Sequence, residues 1–208
     1  MLQSLRYDTW SKKDIADPAE YIWGEELLRK VLEGFGYRIA FSKATADSKH
    51  PLIMLHRNDN GEYFSVYAPD MTVETRLRFP LGAPLLMNQN VELQNGEAIY
   101  HFPKAVHSEC RVYVEQESGV VIAKEKAPVS MKFRRRIGVS GLKNATVRFF
   151  GEEYCKENIT AYLNAEPDLY KSEDPFEMEL IRSPEYGTYY EVRNVTGSML
   201  FSMPFPES

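Results

Sequence analysis

The sequence predicts a mainly β protein: an antiparallel β-sandwich, built as two packed β units, preceded by one amphipathic helix. Three observations lead there. An apolar repeat at three- and four-residue spacing is confined to a single stretch near the N-terminus. Beyond Tyr37 the apolar residues alternate with a period of two, in short runs roughly ten residues apart. Asn-Gly pairs, which supply the positive φ angles of tight hairpins, separate some of those runs.

The helix is expected over 17–34, within an N-terminal segment 1–36. Asp17 offers an N-cap, Pro18 the first helical position and Glu20 the acidic partner of a capping box. Trp23, Leu27, Leu28, Val31, Leu32 and Phe35 then form an apolar stripe that should be buried, and Gly34 and Gly36 stop the helix. Strands follow at 37–41, 52–57, 62–67, 72–79, 89–93 and 97–102, then at 109–117, 120–125, 132–139 and 145–150. The last four are expected at 158–164, 177–182, 188–193 and 199–203. Asn60-Gly61 and Asn95-Gly96 are expected hairpin turns, and Glu117-Ser118-Gly119 a slightly longer one. A junction near Pro128 divides the β region into units 37–128 and 129–208, and no Ser/Gly linker separates them, so they should pack together.

Composition narrows the function classes. The 208 residues carry 25 Lys+Arg against 30 Asp+Glu, a net charge of -5, which disfavours a nucleic-acid coat. No apolar run approaches the length of a membrane span. The N-terminal residues lack the apolar core of a signal peptide, so a cytoplasmic location is expected; a piece of a longer secreted or cell-surface protein would look the same. Cys110 and Cys155 are too few for a disulfide scaffold or a cysteine zinc site. Phosphate-binding loops and the serine-hydrolase elbow are missing from the sequence, and no cofactor, metal or catalytic residue is assigned.

The richest chemistry lies at 100–111. His101, His107, Glu109 and Cys110 could supply metal ligands or a nucleophile pair, with Arg111 beside them. Strand alternation sets Glu109, Arg111 and Tyr113 on one face and Cys110, Val112 and Val114 on the other, which favours Cys110 as a buried structural thiol. The two histidines read more simply as half-exposed loop residues than as ligands. A second candidate is the row Glu74, Arg76 and Arg78 outside the inward Val73, Thr75, Leu77 and Phe79. Such a row could contact anions or sugar hydroxyls, although a solvated strand face accounts for it too. Lys132, Arg134 and Arg136 repeat the pattern; Arg135, on the opposite face, is expected to pair with an acid or lie at a domain boundary. Aromatic residues around Tyr63, Tyr67, Tyr186 and Tyr189 mostly suit cross-strand packing, with a sugar-stacking platform as the lesser reading.

Segments 67–84 and 100–114 resemble the C-terminal β-rich accessory regions of glycoside hydrolases and related carbohydrate-active proteins. The resemblance implies a β-sandwich that packs against, or presents substrate to, a catalytic domain. Together these readings favour a non-catalytic binding or accessory protein, possible partners being a carbohydrate or a protein, with His101, His107, Glu109, Arg111, Glu74, Arg76, Arg78 and Tyr67 as binding residues. Two alternatives are an enzyme using His101, His107 and Glu109, and an oligomeric interaction domain docking through Trp23, Leu27 and Val31.

Overall fold

Strand-forming residues in alternating patterns dominate the chain, and in the computed structural model they form two antiparallel sheets. The structure describes residues 27–36, 42–43, 52–58, 61–67, 73–102, 105–126, 134–151, 158–164 and 175–205. Helix α1 covers 27–34, and Gly36, at φ 82°, ends it by donating to the Glu33 carbonyl. The expected helical residues 17–26 and the expected strand 37–41 lie outside the described residues. Among the described residues the apolar stripe is covered only in part, Leu27 and Leu32 being half-buried. Leu28, Val31 and Phe35 are 57%, 44% and 77% exposed.

The first strands are β1 (Ser42–Lys43), β2 (Leu52–Asn58), β3 (Gly61–Tyr67), β4 (Val73–Arg78) and β5 (Ala83–Pro84). Next come β6 (Asn90–Gln94), β7 (Glu97–Phe102), β8 (Ala105–Glu109), β9 (Val112–Glu115) and β10 (Ser118–Lys126). The chain closes with β11 (Arg134–Phe149), β12 (Thr160–Leu163), β13 (Glu179–Ser183) and β14 (Gly187–Pro204). A small sheet runs β2-β3-β8. The large sheet runs β1-β4-β7-β6-β10-β11-β14-β12, with β13 on β14 and the β5-β9 pair on β11, and it is curled into a nearly closed, barrel-like form.

Two long bent strands produce that curl. The expected strands at 132–139 and 145–150 are one strand, β11, and those at 188–193 and 199–203 are one strand, β14. The first part of β11 pairs with β10 and its last part with β9, while β14 lies alongside through both. Register shifts between Ser140 and Val147 mark the bend. Gly141 and Asn144 on one strand, and Asn194 and Gly197 on the other, have positive φ there. Gly141 is irreplaceable on steric grounds, because a Cβ would stand 2.1 Å from the Val120 carbonyl oxygen.

The buried Gln116 amide locks this corner. Its Nε2 donates to the Ser118 and Gly141 carbonyls at 3.0 and 3.3 Å, and its Oε1 accepts from the Lys143 N–H at 3.1 Å. Residues 117–119 are therefore not a hairpin turn, as the Gly-containing tripeptide suggested. β9 and β10 do not pair; the chain crosses there from one end of β11 to the other. By contrast Asn95-Gly96 makes the expected tight turn, with φ 51° and 77° between β6 and β7. Asn58 pairs with Gly61, so Gly61 is a strand residue and not part of a turn; residues 59–60 lie outside the described residues.

The small sheet lays its inner residues Ile53, Phe64 and Val66 on the core of the large one. Phe64 meets Phe79, Tyr100 and Phe102 at ring-centroid distances of 5.5–6.3 Å. Buried residues from both sides of Pro128 join the same core, and β10 and β11 pair across that position. A second, smaller cluster of Tyr113, Phe150 and Tyr189 covers the opposite face of β9 and β11.

Two stability measurements follow. Gly141→Ala should lose at least about 2 kcal/mol by urea denaturation, whereas Gly96→Ala, also at positive φ but with open space around it, should lose about 1 kcal/mol. Equal losses would contradict the corner geometry. Thr75 Oγ1 is buried and has no hydrogen-bond partner among the described residues, so Thr75→Val should raise stability by about 1 kcal/mol in the same assay.

Candidate functional site

Strand β3 alternates Glu62, Phe64 and Val66 inward with Tyr63 and Ser65 outward. Glu62 is thus a carboxyl group at a core position, 4% exposed, where it accepts a hydrogen bond from the Tyr113 hydroxyl. It borders a cleft of about 280 Å³ at the edge of the second aromatic cluster. Leu55, Phe79, Pro80 and Leu81 supply the apolar walls. His56, Glu62, Tyr113, Glu185 and Tyr186 bring aromatic and polar groups to the same space.

Two turns shape the cleft. In Phe79-Pro80-Leu81-Gly82 the Gly82 N–H donates to the Phe79 carbonyl at 3.2 Å. Gly82 sits at φ 87°, and a Cβ would come 2.7 Å from the Val114 backbone, so only glycine lets the turn lie this close to β9. Arg148 Nη1 donates to the Leu81 carbonyl at 2.7 Å and fixes the turn from behind. Behind the turn lies a smaller cavity of about 100 Å³, bordered by Gly82, Val114 and Gln116. On the other rim, Ser183 Oγ accepts from the N–H groups of Glu185 and Tyr186, both at 3.2 Å, and Gly187 at φ 76° turns the chain into β14. That local bonding presents Glu185 and Tyr186 to the cleft.

Ion pairs brace the strands around it. Arg148 Nε donates to Glu191 at 2.7 Å and Nη1 to Glu115 at 3.0 Å. Burial raises the Glu191 carboxyl, but hydrogen bonds and charge from Arg193 and Arg148 outweigh it and hold the group below its ordinary value. A second cluster joins the two sheets. Glu109, at the end of β8, accepts from the buried Arg111 and from Arg135 of β11, and Arg135 also bonds Glu125 of β10. The acid partner expected for Arg135 is therefore present. Burial pushes Glu109 up, yet the hydrogen bond from Arg135 and the charges of Arg111 and Arg135 prevail and keep it below its ordinary 4.5. Hydrogen bonds and charge from Glu125 and Glu109 push Arg135 further up, against the effect of its burial.

The candidate residues named from sequence fall in three separate places. Glu74, Arg76 and Arg78 form the expected outer row, but its charges are paired within the sheet: Arg76 bonds Glu74 at 3.0 Å and Gln94 at 3.3 Å, and Arg78 bonds Glu97. His101 stands opposite Glu74 in the same face of the large sheet, exposed. His107 is exposed on the small sheet, hydrogen-bonded to Ser65 Oγ at 2.9 Å. Glu109 and Arg111 belong to the ion cluster. Tyr67 pairs through its backbone with Leu52 and Ala105, and its side chain is outside the described residues. Among the described residues no three His, Cys, Asp or Glu side chains are placed to hold a metal ion. Cys110 is buried, as the alternation implied.

The expected strand 109–117 is interrupted at Cys110 and Arg111, because the chain leaves the small sheet there and enters the large one. Cys110 N–H donates to the Glu62 carbonyl at 2.9 Å, and Phe150 N–H to the Arg111 carbonyl at 2.8 Å, so the break itself is hydrogen-bonded. Sequence reasoning overlooked Glu62, Tyr113 and Glu185. A signal for Glu62 existed: a glutamate in phase with Phe64 and Val66 is a charge at a core position.

No family model, curated protein or solved structure matches the chain. Among the described residues no helix is long and apolar enough to cross a membrane.

The ion cluster gives a pH signature. A carboxyl held below its ordinary value contributes its full stability above that value and loses it as the pH falls through the lowered one. Glu109→Gln should cost about 3 kcal/mol at neutral pH, because it strips Arg111 and Arg135 of their shared acid. The gap between the wild type and the variant should narrow as the pH is lowered below the ordinary 4.5 of the carboxyl and through its lowered value, as read by denaturation midpoints. A gap independent of pH would contradict the pairing.

Proposed function

We propose that this chain is a non-catalytic, carbohydrate-associated binding or accessory module, its two sheets serving as a sandwich-like scaffold for the cleft between β3, the 79–82 turn and the 184–186 turn. The observation that carries the reading is the cleft itself. It is concave, mostly apolar, and bordered by a few convergent polar groups, the usual build of a small-ligand seat. Phe79, Tyr113 and Tyr186 offer ring surface to the apolar C–H face of a sugar. Glu62 and Glu185 are acceptors for its hydroxyl groups. The texture of segments 67–84 and 100–114 supports the same assignment, since 79–81 and Tyr113 fall within them.

The earlier alternative, an enzyme built on His101, His107 and Glu109, has no comparable support. Those groups lie on different sheets or in an ion cluster. The proposed partner is a glycan or another hydroxylated ring compound.

Binding to a glycan array, followed by calorimetry of the hits, tests the reading. Tyr186→Ala, at a half-buried turn position, should weaken binding about tenfold, which corresponds to ~1.4 kcal/mol. If no sugar binds at millimolar concentration, the carbohydrate assignment fails.

A further inference from the structure

The outer face of the small sheet carries a group of rings that neither the core nor the ion pairs use. His56 on β2, Tyr63 on β3 and His107 on β8 lie with their planes nearly parallel. Tyr63 is 5.5 Å from each histidine by ring centroid, and the histidines are 6.4 Å from one another. His56 and His107 are exposed and Tyr63 half-buried. The hydrogen bond between Ser65 Oγ and His107 Nδ1 at 2.9 Å holds the far ring in place. His56 belongs to both features: it lines the cleft and is part of the ring group.

Resting on the carbohydrate reading above, the geometry points to a second subsite at His56, Tyr63 and His107, which takes the next ring of an oligosaccharide whose first ring occupies the cleft. The recognition chemistry is continuous across the two places. Imidazole nitrogens and a phenol hydroxyl can donate to or accept from sugar hydroxyls, and the ring carbons offer apolar contact. The ring group spans only 5.5–6.4 Å between centroids, the scale of one added ring rather than a long track. Because three rings pack against each other, they lose little rotamer freedom when a ligand arrives, which favours binding. The ligand class is therefore a short or internal stretch of a neutral glycan chain, with at least two rings engaged.

Cello-, xylo- and chito-oligosaccharides of one to four rings, titrated into the full chain by calorimetry, test this directly. In the series that binds, affinity should rise about tenfold from one ring to two or three and then level off. His107→Ala, at an exposed strand position, should bring the longer sugars down to the affinity of the single ring; Tyr63→Phe should do so in part. Tyr186→Ala should weaken every length alike. If affinity does not depend on length, or if the His107 variant keeps the increment, the second subsite is refuted while the cleft reading stands. If no length of any series binds, both fall together.

Discussion

The bend shared by β11 and β14 is the constraint on which the rest of the molecule depends. Both strands are too long to serve one flat sheet, and each changes partner midway. Without the left-handed residues at 141, 144, 194 and 197 the ladder would run straight. The two faces of β9 could not then be covered separately, one by the main core and one by the Tyr113 cluster. Asn164 supports the second half of the corner much as Gln116 supports the first. Its Oδ1 accepts from Ser198 N–H at 3.1 Å, and its own N–H donates to the Ser198 carbonyl at 2.8 Å. Gly197 leaves the room that the Asn164 side chain occupies. Polar side chains at a corner thus replace the ladder bonds that bending removes.

Attachment of the small sheet follows from the same geometry. Because β9 is central, its approach segment at Cys110 and Arg111 runs through the interior, and a buried guanidinium there requires an acid. Glu109 provides it, and Arg135 and Glu125 extend the pairing into β11 and β10. The sheets are thereby held through charge as well as through the contact of Phe64 with Phe79, Tyr100 and Phe102. The Glu62–Tyr113 bond adds a third tie, buried beside the cleft that both residues border.

Much of this order was legible in the residues, and the gaps have physical causes. Period-two runs located β2, β3, β4, β6, β7 and β10 closely, and in β3, β4 and β6 the buried face alternates cleanly. The inward turn of Arg135 was readable from its phase with Ile137. The fusion of two expected strands into β11 was not, because Gly141 and Asn144 look like a loop when the partner strand is unseen. β8 was missed at 105–109, where small and polar residues give little alternation. The site was harder still. Its residues come from five distant places in the chain, and only Glu62 broke a local rule that could be noticed in advance.

The 79–82 turn separates the larger cleft from the smaller cavity beside Gln116. A close-packed partition transmits strain to whatever lies behind it, whereas a partition with a void at its back can be displaced into that void. The wall formed by Phe79 and Pro80 borders both spaces, so it is backed by open space and not by close-packed core.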